Sequence, residues 1–324
     1  TAPVGKLVLQ LAIPAMLAQF VNILYSVVDR MYVGHIAGAG DAALAGVGVC
    51  APVVTMITAL GALIGFGGGP LMSIRMGRRD MDGARQIVAN SFYLLLALSV
   101  MATVPLLVFR RQILFTFGCS EALWEYAEAY FTTYVSGTVF AVMSYGLNQI
   151  TMSQGFSSTA MRSVMLGAAV NIALDPVFIF ALNMGVRGAA LATVIGQIFG
   201  MALGLWGVFR HQKVLNVNMK AFKWNRGTVG DIYRVGLPGI VMQSVVSVMT
   251  AGMNGILIAF SQTAVNVLGV YFKLQTFVFM PVFGLNQGAL PVMGYNYGAR
   301  NRRRLMGAYR ITLTAAVVIM ALGL

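Results

Sequence analysis

Residues Val170–Phe178 read VNIALDPVF, and the reading of this stretch decides what kind of chain it belongs to. It sets Asn171, Asp175 and Pro176 into a segment otherwise apolar enough to cross a membrane. A carboxylate at that depth costs at least about 2.5–3.5 kcal/mol on insertion scales, so an aspartate there marks a functional site. Asn171 and Asp175 stand four residues apart, which on a helix puts both side chains on one face, a turn from each other. Pro176 has no amide hydrogen and disturbs the bond to the Ile172 carbonyl, so the backbone can add a third oxygen. The stretch therefore predicts a cation or proton site whose other wall comes from elsewhere in the chain.

Composition makes the membrane reading general. Of 324 residues 58% are hydrophobic and 10% charged, and the mean hydropathy is +0.80. That is too much apolar surface for a soluble domain of this length, and it predicts an all-α polytopic membrane protein. A net charge of +13 would raise nucleic acid as a partner of a soluble chain. Here the basic residues cluster in alternate loops, as the positive-inside rule requires, so the expected partner is the bilayer and not nucleic acid. Cys50 and Cys119 lie in apolar surroundings, which argues against a disulfide framework. The first apolar run is too long for a cleavable signal core. The chain begins at Thr1 and stops at Leu324 inside an apolar run, which suggests that both ends are cut.

Nine apolar runs follow one another: about Leu7–Val33, Ala43–Met72, Ile87–Val108, Leu123–Met152, Arg162–Ala181, Gly185–Phe209, Val229–Phe260, Ala264–Met293 and Arg304–Leu324. Each approaches or exceeds the roughly 20 residues that a spanning helix needs. Counted from an inside N-terminus, the even loops hold most of the basic residues, among them Arg75, Arg78, Arg79, Arg85 and Arg300–Arg304. The odd loops hold Asp41, Glu121, Glu125 and Glu128. This predicts a multi-pass protein of the cytoplasmic membrane with its N-terminus in the cytoplasm.

The chain also repeats itself. LAIPAMLAQFV at Leu11–Val21 recurs as VGLPGIVMQSV at Val235–Val245, with Pro14 over Pro238 and Gln19 over Gln243. With a three-residue shift, Gly48, Thr55, Gly67, Pro70, Met72, Gly77 and Arg79 then fall over Gly269, Thr276, Gly288, Pro291, Met293, Gly298 and Arg300. The second copy starts after an even number of helices, so both copies share an orientation. Parallel repeats of this kind mark secondary transporters whose two lobes rock about a central site. The predicted organisation is an N-lobe at 1–212 with six helices, a basic linker at 213–228 and a partial C-lobe at 229–324 with three.

The other wall of the site is found by elimination. Of nine acidic residues only Asp29 and Asp175 sit within spans, the rest being in loops or at helix ends. Asp29 closes a polar stripe of Gln19, Asn22, Ser26 and the adjoining Tyr25 on the first span. On the sixth span Thr193 and Gln197 stand four apart beside the small-residue ridge Gly196, Gly200 and Gly204, which permits close helix packing. Carboxylate, amide and hydroxyl oxygens suit a hard cation such as sodium, and suit a proton equally well. Blander readings stand beside these: an ion pair of Asp29 with Arg30, and a Thr193 hydroxyl bonded to its own helix backbone. Lys273, midway along the eighth span, either lines the cleft opposite the aspartates or snorkels.

With these residues identified, the chain resembles the multidrug and toxic compound extrusion (MATE) transporters, and among them the bacterial multidrug branch. The resemblance covers essentially the whole length. It is carried by VVDRMYVGHIAG at Val27–Gly38, by NIALDPVF at Asn171–Phe178, and by FVFMPVFGLNQGALPVMGYNYGAR at Phe277–Arg300, echoed in the first lobe by GGGPLMSIRMG. It implies twelve helices in two six-helix bundles, of which about three are missing here. It implies a cation site at Asp29, Asn171, Asp175 and Thr193, which couples sodium or proton entry to export of drugs and other organic cations. It implies no cofactor beyond that ion, and a monomer is expected. Some relatives carry a carboxylate on the seventh helix, where this chain has Met253 and Asn254.

Two rival functions share parts of this pattern. A lipid-linked saccharide flippase has the same two-lobe plan, but its cleft is expected to carry several cations for pyrophosphate. An intramembrane aspartyl protease also needs two aspartates on separate spans. Here Val28 precedes Asp29 and Leu174 precedes Asp175, so the Tyr-Asp and Gly-x-Gly-Asp motifs of such proteases are absent. No phosphate-binding loop suggests an ATP-driven pump, which leaves an ion gradient as the expected energy source.

Overall fold

In hydrocarbon every backbone amide must find its partner within the protein, and among the described residues this chain meets the demand with helices alone. The computed structural model describes residues 3–208, 224–258 and 261–323, with only some of the side chains between 243 and 274. Eleven helices follow: α1 Val4–Gly34, α2 Gly40–Gly77, α3 Met81–Val108, α4 Arg110–Thr116, α5 Trp124–Ser136, α6 Thr138–Ser153, α7 Ser157–Pro176, α8 Val186–Trp206, α9 Arg226–Ile258, α10 Gln262–Gly298 and α11 Arg302–Leu322. Seven helical stretches among the described residues are long and apolar enough to cross a membrane. The molecule is an all-α polytopic membrane protein.

The nine expected spans fall on these helices, all but the fourth and seventh on the seven stretches just counted, with two departures. The fourth expected span is built from α5 and α6 in series, interrupted at Gly137. A Cβ at Gly137 would lie 2.5 Å from a methyl group of Val194, so the break sits against α8. After Pro176 the fifth span continues as a π-turn over Val177–Ala181, since the proline supplies no amide for the regular ladder. Most of the expected linker at 213–228, together with His211, lies outside the described residues. At its end α9 starts at Arg226, three residues before the expected Val229, because the Asn225 carboxamide oxygen accepts from the Gly227 and Thr228 amides at 2.9 and 3.2 Å.

The internal repeat is present in the backbone. Arg79 and Arg300 end α2 and α10 with φ of 63° and 55°, a left-handed conformation that non-glycine residues seldom adopt. The next residues, Asp80 and Asn301, cap the following helices by accepting from Gly83 and Arg304 amides. Thr55 and Thr276 each bond the carbonyl four residues back, at 3.0 and 2.8 Å.

Close packing joins the two copies. A Cβ at Gly77 would overlap the Tyr295 carbonyl, and one at its counterpart Gly298 would overlap the Ile74 carbonyl. Gly67 and Gly236 bring α2 against α9 in the same way, while Gly284 and Gly288 bring α10 onto Ala12 and Met16 of α1. All these contacts lie in the half of the bundle where α1 and α9 begin and α2 and α10 end. The Gln19 amide then bridges α1 to α10 by donating to Gln287 Oε1 at 3.0 Å. The largest core lies mostly inside the first copy, where α2, α3, α5 and α6 bury Ile57, Ile64, Leu95, Phe131, Leu147 and Ile150, and α9 adds Ile232.

Candidate functional site

Helices α7 and α8 meet at glycines. Gly196 lies so close to the Gly167 carbonyl that an added Cβ would be 2.6 Å from its oxygen, and Gly188 seats the start of α8 on the Phe178–Ile179 backbone. This approach brings Asn171, Asp175 and Thr193 together. The Asn171 amide donates to Asp175 Oδ1 at 3.4 Å and to Thr193 Oγ1 at 3.3 Å. Thr193 in turn donates to the Ala189 carbonyl at 3.0 Å, so the hydroxyl serves its own helix and the cluster at once. Asp175 is 0% exposed and Asn171 2%.

Asp29 completes the group from α1. Its Oδ1 is buried without a hydrogen-bond partner, on a helix packed along α7. Arg30 is exposed, and no ion pair within 4.0 Å joins it to Asp29 among the described residues. The interfacial pair with Arg30 is therefore not formed. Gln197, one turn beyond Thr193, donates its amide to the Tyr134 hydroxyl at 3.2 Å, and Tyr134 stacks on Tyr130 with ring centres 6.0 Å apart.

The chemistry of the group lies in its unmet acceptors. Asp29 Oδ1, Asn171 Oδ1, Asp175 Oδ2 and Gln197 Oε1 are all buried with no hydrogen-bond partner. A buried polar atom left unpaired costs about 1–3 kcal/mol, and here all four are oxygens from two carboxylates and two amides. Such a set fits a hard cation, or a proton shared with a carboxylate, and offers nothing to an anion. Among the described residues no group of three His, Cys, Asp or Glu occurs, which sets the site apart from transition-metal centres.

Of the residues expected to hold the ion, the structure joins Asn171, Asp175 and Thr193 by hydrogen bonds, with Asp29 on α1; of those expected to line a substrate cleft, Tyr25 lies one turn before Asp29 and Gln197 one turn beyond Thr193. Gln19 stands apart from it on the α10 contact, and Asn22 and Ser26 are half-buried between the two. The Lys273 side chain, with that of Asn254, lies outside the described residues. Tyr130 and Tyr134 were missed, although their four-residue spacing in the fourth span is a helical stripe that could have found them. Gln287 was missed because it lies in the second copy over Phe66, where the repeat gives no polar counterpart.

A model of the MatE family matches residues 14–177 and 238–324. The chain belongs to the MatE family. Both MatE matches begin at the prolines that register the repeat, Pro14 and Pro238, so the family unit and the internal copy coincide. Multidrug export protein MepA of Staphylococcus haemolyticus (strain JCSC1435) is 24% identical over 316 residues, covering 98% of this chain and 69% of that protein. A crystal structure of MATE in the straight conformation superposes with a TM-score of 0.92 at 30% identity, covering 98% of this chain and 71% of that one. An outward-facing multidrug resistance MATE transporter of the MOP superfamily gives 0.91 at 29% identity, over 98% of this chain and 70% of that one. This MatE chain is thus a membrane transporter and not an enzyme.

Proposed function

We propose that this chain forms the ion-coupling part of a secondary transporter that exports drugs and other organic cations in exchange for sodium or protons by alternating access. One observation carries the reading: Asn171, Asp175 and Thr193 meet in the first copy, and buried oxygens of Asp29, Asn171, Asp175 and Gln197 are left without partners. The multidrug export relatives and the close packing of α1 and α2 on α9 and α10 support it. With the other half of the cleft open, the ion enters among Asp29, Asn171, Asp175 and Thr193 and neutralises the carboxylates. An organic cation held by that charge loses its counter-ion and leaves, and α1 adjusts near Pro14 and Asp29. Such coupling requires the two ligands to prefer opposite charge states of one site. No cofactor other than the ion takes part, and the working unit is a monomer. The N-terminus lies in the cytoplasm, a reading supported by the basic loops.

Ethidium movement by the full-length protein in proteoliposomes tests this, under an imposed sodium gradient and separately under a proton gradient. Wild type is expected to move ethidium under at least one gradient, and Asp175→Asn to lose that transport at least about tenfold. Transport by Asp175→Asn at the wild-type rate would remove the site from the mechanism.

A further inference from the structure

A cavity opens where the two copies touch, at the end of the bundle where α2 and α10 finish. It measures about 710 Å³ and is lined by Arg78 from the end of α2, Asn296, Tyr297 and Arg300 from the end of α10, and Arg302 and Met306 from the start of α11. Three arginines therefore border one space, and no carboxylate lines it. Arg78, Arg300 and Arg302 have no ion pair within 4.0 Å among the described residues. The acid that bears on Arg78 is Asp80, and its carboxylate is already held by Arg75 at 2.8 Å and by the Gly83 amide at 2.9 Å.

The second copy lacks the acids that stand beside the arginines of the first. In register with Arg79 over Arg300, the first copy has Asp80, Met81, Asp82 and Gly83 where the second has Asn301, Arg302, Arg303 and Arg304. A general excess of positive charge at one membrane face would not require both carboxylates to be missing at those positions. Arginine forks match phosphate oxygens two at a time, and guanidiniums at a membrane surface draw anionic headgroups. The rim adds Tyr297, 60% exposed, and Met306, 40% exposed, an aromatic and an apolar surface next to the charges.

We propose that this cavity binds the phosphate group of an anionic ligand, and that the apolar rim makes an anionic phospholipid the source. Because Arg78 comes from the first copy and the other two arginines from the second, a phosphate held by all three spans the junction between the copies. It favours the arrangement in which they are together.

Native mass spectrometry of the purified full-length protein, titrated with phosphatidylglycerol or phosphatidylcholine, tests the assignment. Wild type is expected to bind phosphatidylglycerol about tenfold or more tightly than phosphatidylcholine, and Arg78→Gln/Arg300→Gln/Arg302→Gln to lose that preference. Arg162→Gln/Arg226→Gln/Arg234→Gln removes as many arginines outside the cavity and should keep it. Should the first triple variant fail to fold, Arg302→Gln alone, at an exposed helix start, carries the same comparison with a smaller loss. Inorganic phosphate is added in competition: no displacement of the lipid supports the phospholipid source, and displacement at matched concentration overturns that source while supporting the phosphate site. Equal lipid preference in wild type and the cavity variants, or equal loss in both triple variants, would overturn the proposal.

Discussion

Asn171 is the residue on which the site's geometry turns. Its one amide group reaches both Asp175 and Thr193, while its own oxygen stays free. Asn171→Leu removes that donor and leaves a fully buried carboxylate with no partner, so gradient-driven ethidium transport should fall at least about tenfold. Thr193→Val should cost about threefold or less, because half of the hydroxyl's bonding goes to Ala189 on its own helix. Equal losses in a transport assay would show that the two positions do not differ in this way. The acids were legible in the sequence because a carboxylate inside an apolar run is too costly to keep unless it binds something there. Tyr130 and Tyr134 were not, since tyrosine serves as well at interfaces and in cores, and only the Gln197 bond to Tyr134 and the stacking of Tyr130 on it tie them to α8.

At the scale of elements, caps and close contacts decide where helices stop and how near they come. The Gly83 amide, and after it Arg75, hold the Asp80 carboxyl below its ordinary 3.8. A depressed folded-state value contributes stability that is present above pH 3.8 and lost as pH falls through that lower value. Asp80→Ala should therefore lower the melting temperature near pH 7, by a cap's worth of about 1 kcal/mol, and the gap to wild type should close as the pH drops below 3.8. A gap unchanged by acid would show that the charge of Asp80 is not what stabilises α3. Gly77→Ala and Gly298→Ala each push a methyl group into a carbonyl of the other copy and should destabilise the closed junction, by about 1–3 kcal/mol. Gly48→Ala, with nothing within 4 Å of its added Cβ, should leave the melting temperature unchanged or raised. The break at Gly137 was not readable, because the apolar run continues through it and only Val194 of a distant helix marks the place. The π-turn after Pro176 was half-readable: the missing amide follows from the proline itself, whereas the way the backbone resumes does not.

Over the whole molecule the repeat is the feature that sequence and structure express in the same terms. Pro14 over Pro238 and Arg79 over Arg300 predicted two copies of one unit, and the copies meet through glycines at matching positions. What the residues alone did not give is the meeting itself: a glycine contact is visible only once both backbones are placed. At this scale one buried cluster is proposed to answer both to a small cation and to the exported organic cation. Ethidium affinity of the full-length protein, measured as sodium is raised at fixed pH and then as pH is lowered without sodium, tests that double role most directly. Wild-type affinity is expected to weaken about tenfold or more in at least one titration, and Asp175→Asn to show no such dependence. An ethidium affinity indifferent to both sodium and pH in wild type, or a dependence that survives in Asp175→Asn, would contradict it.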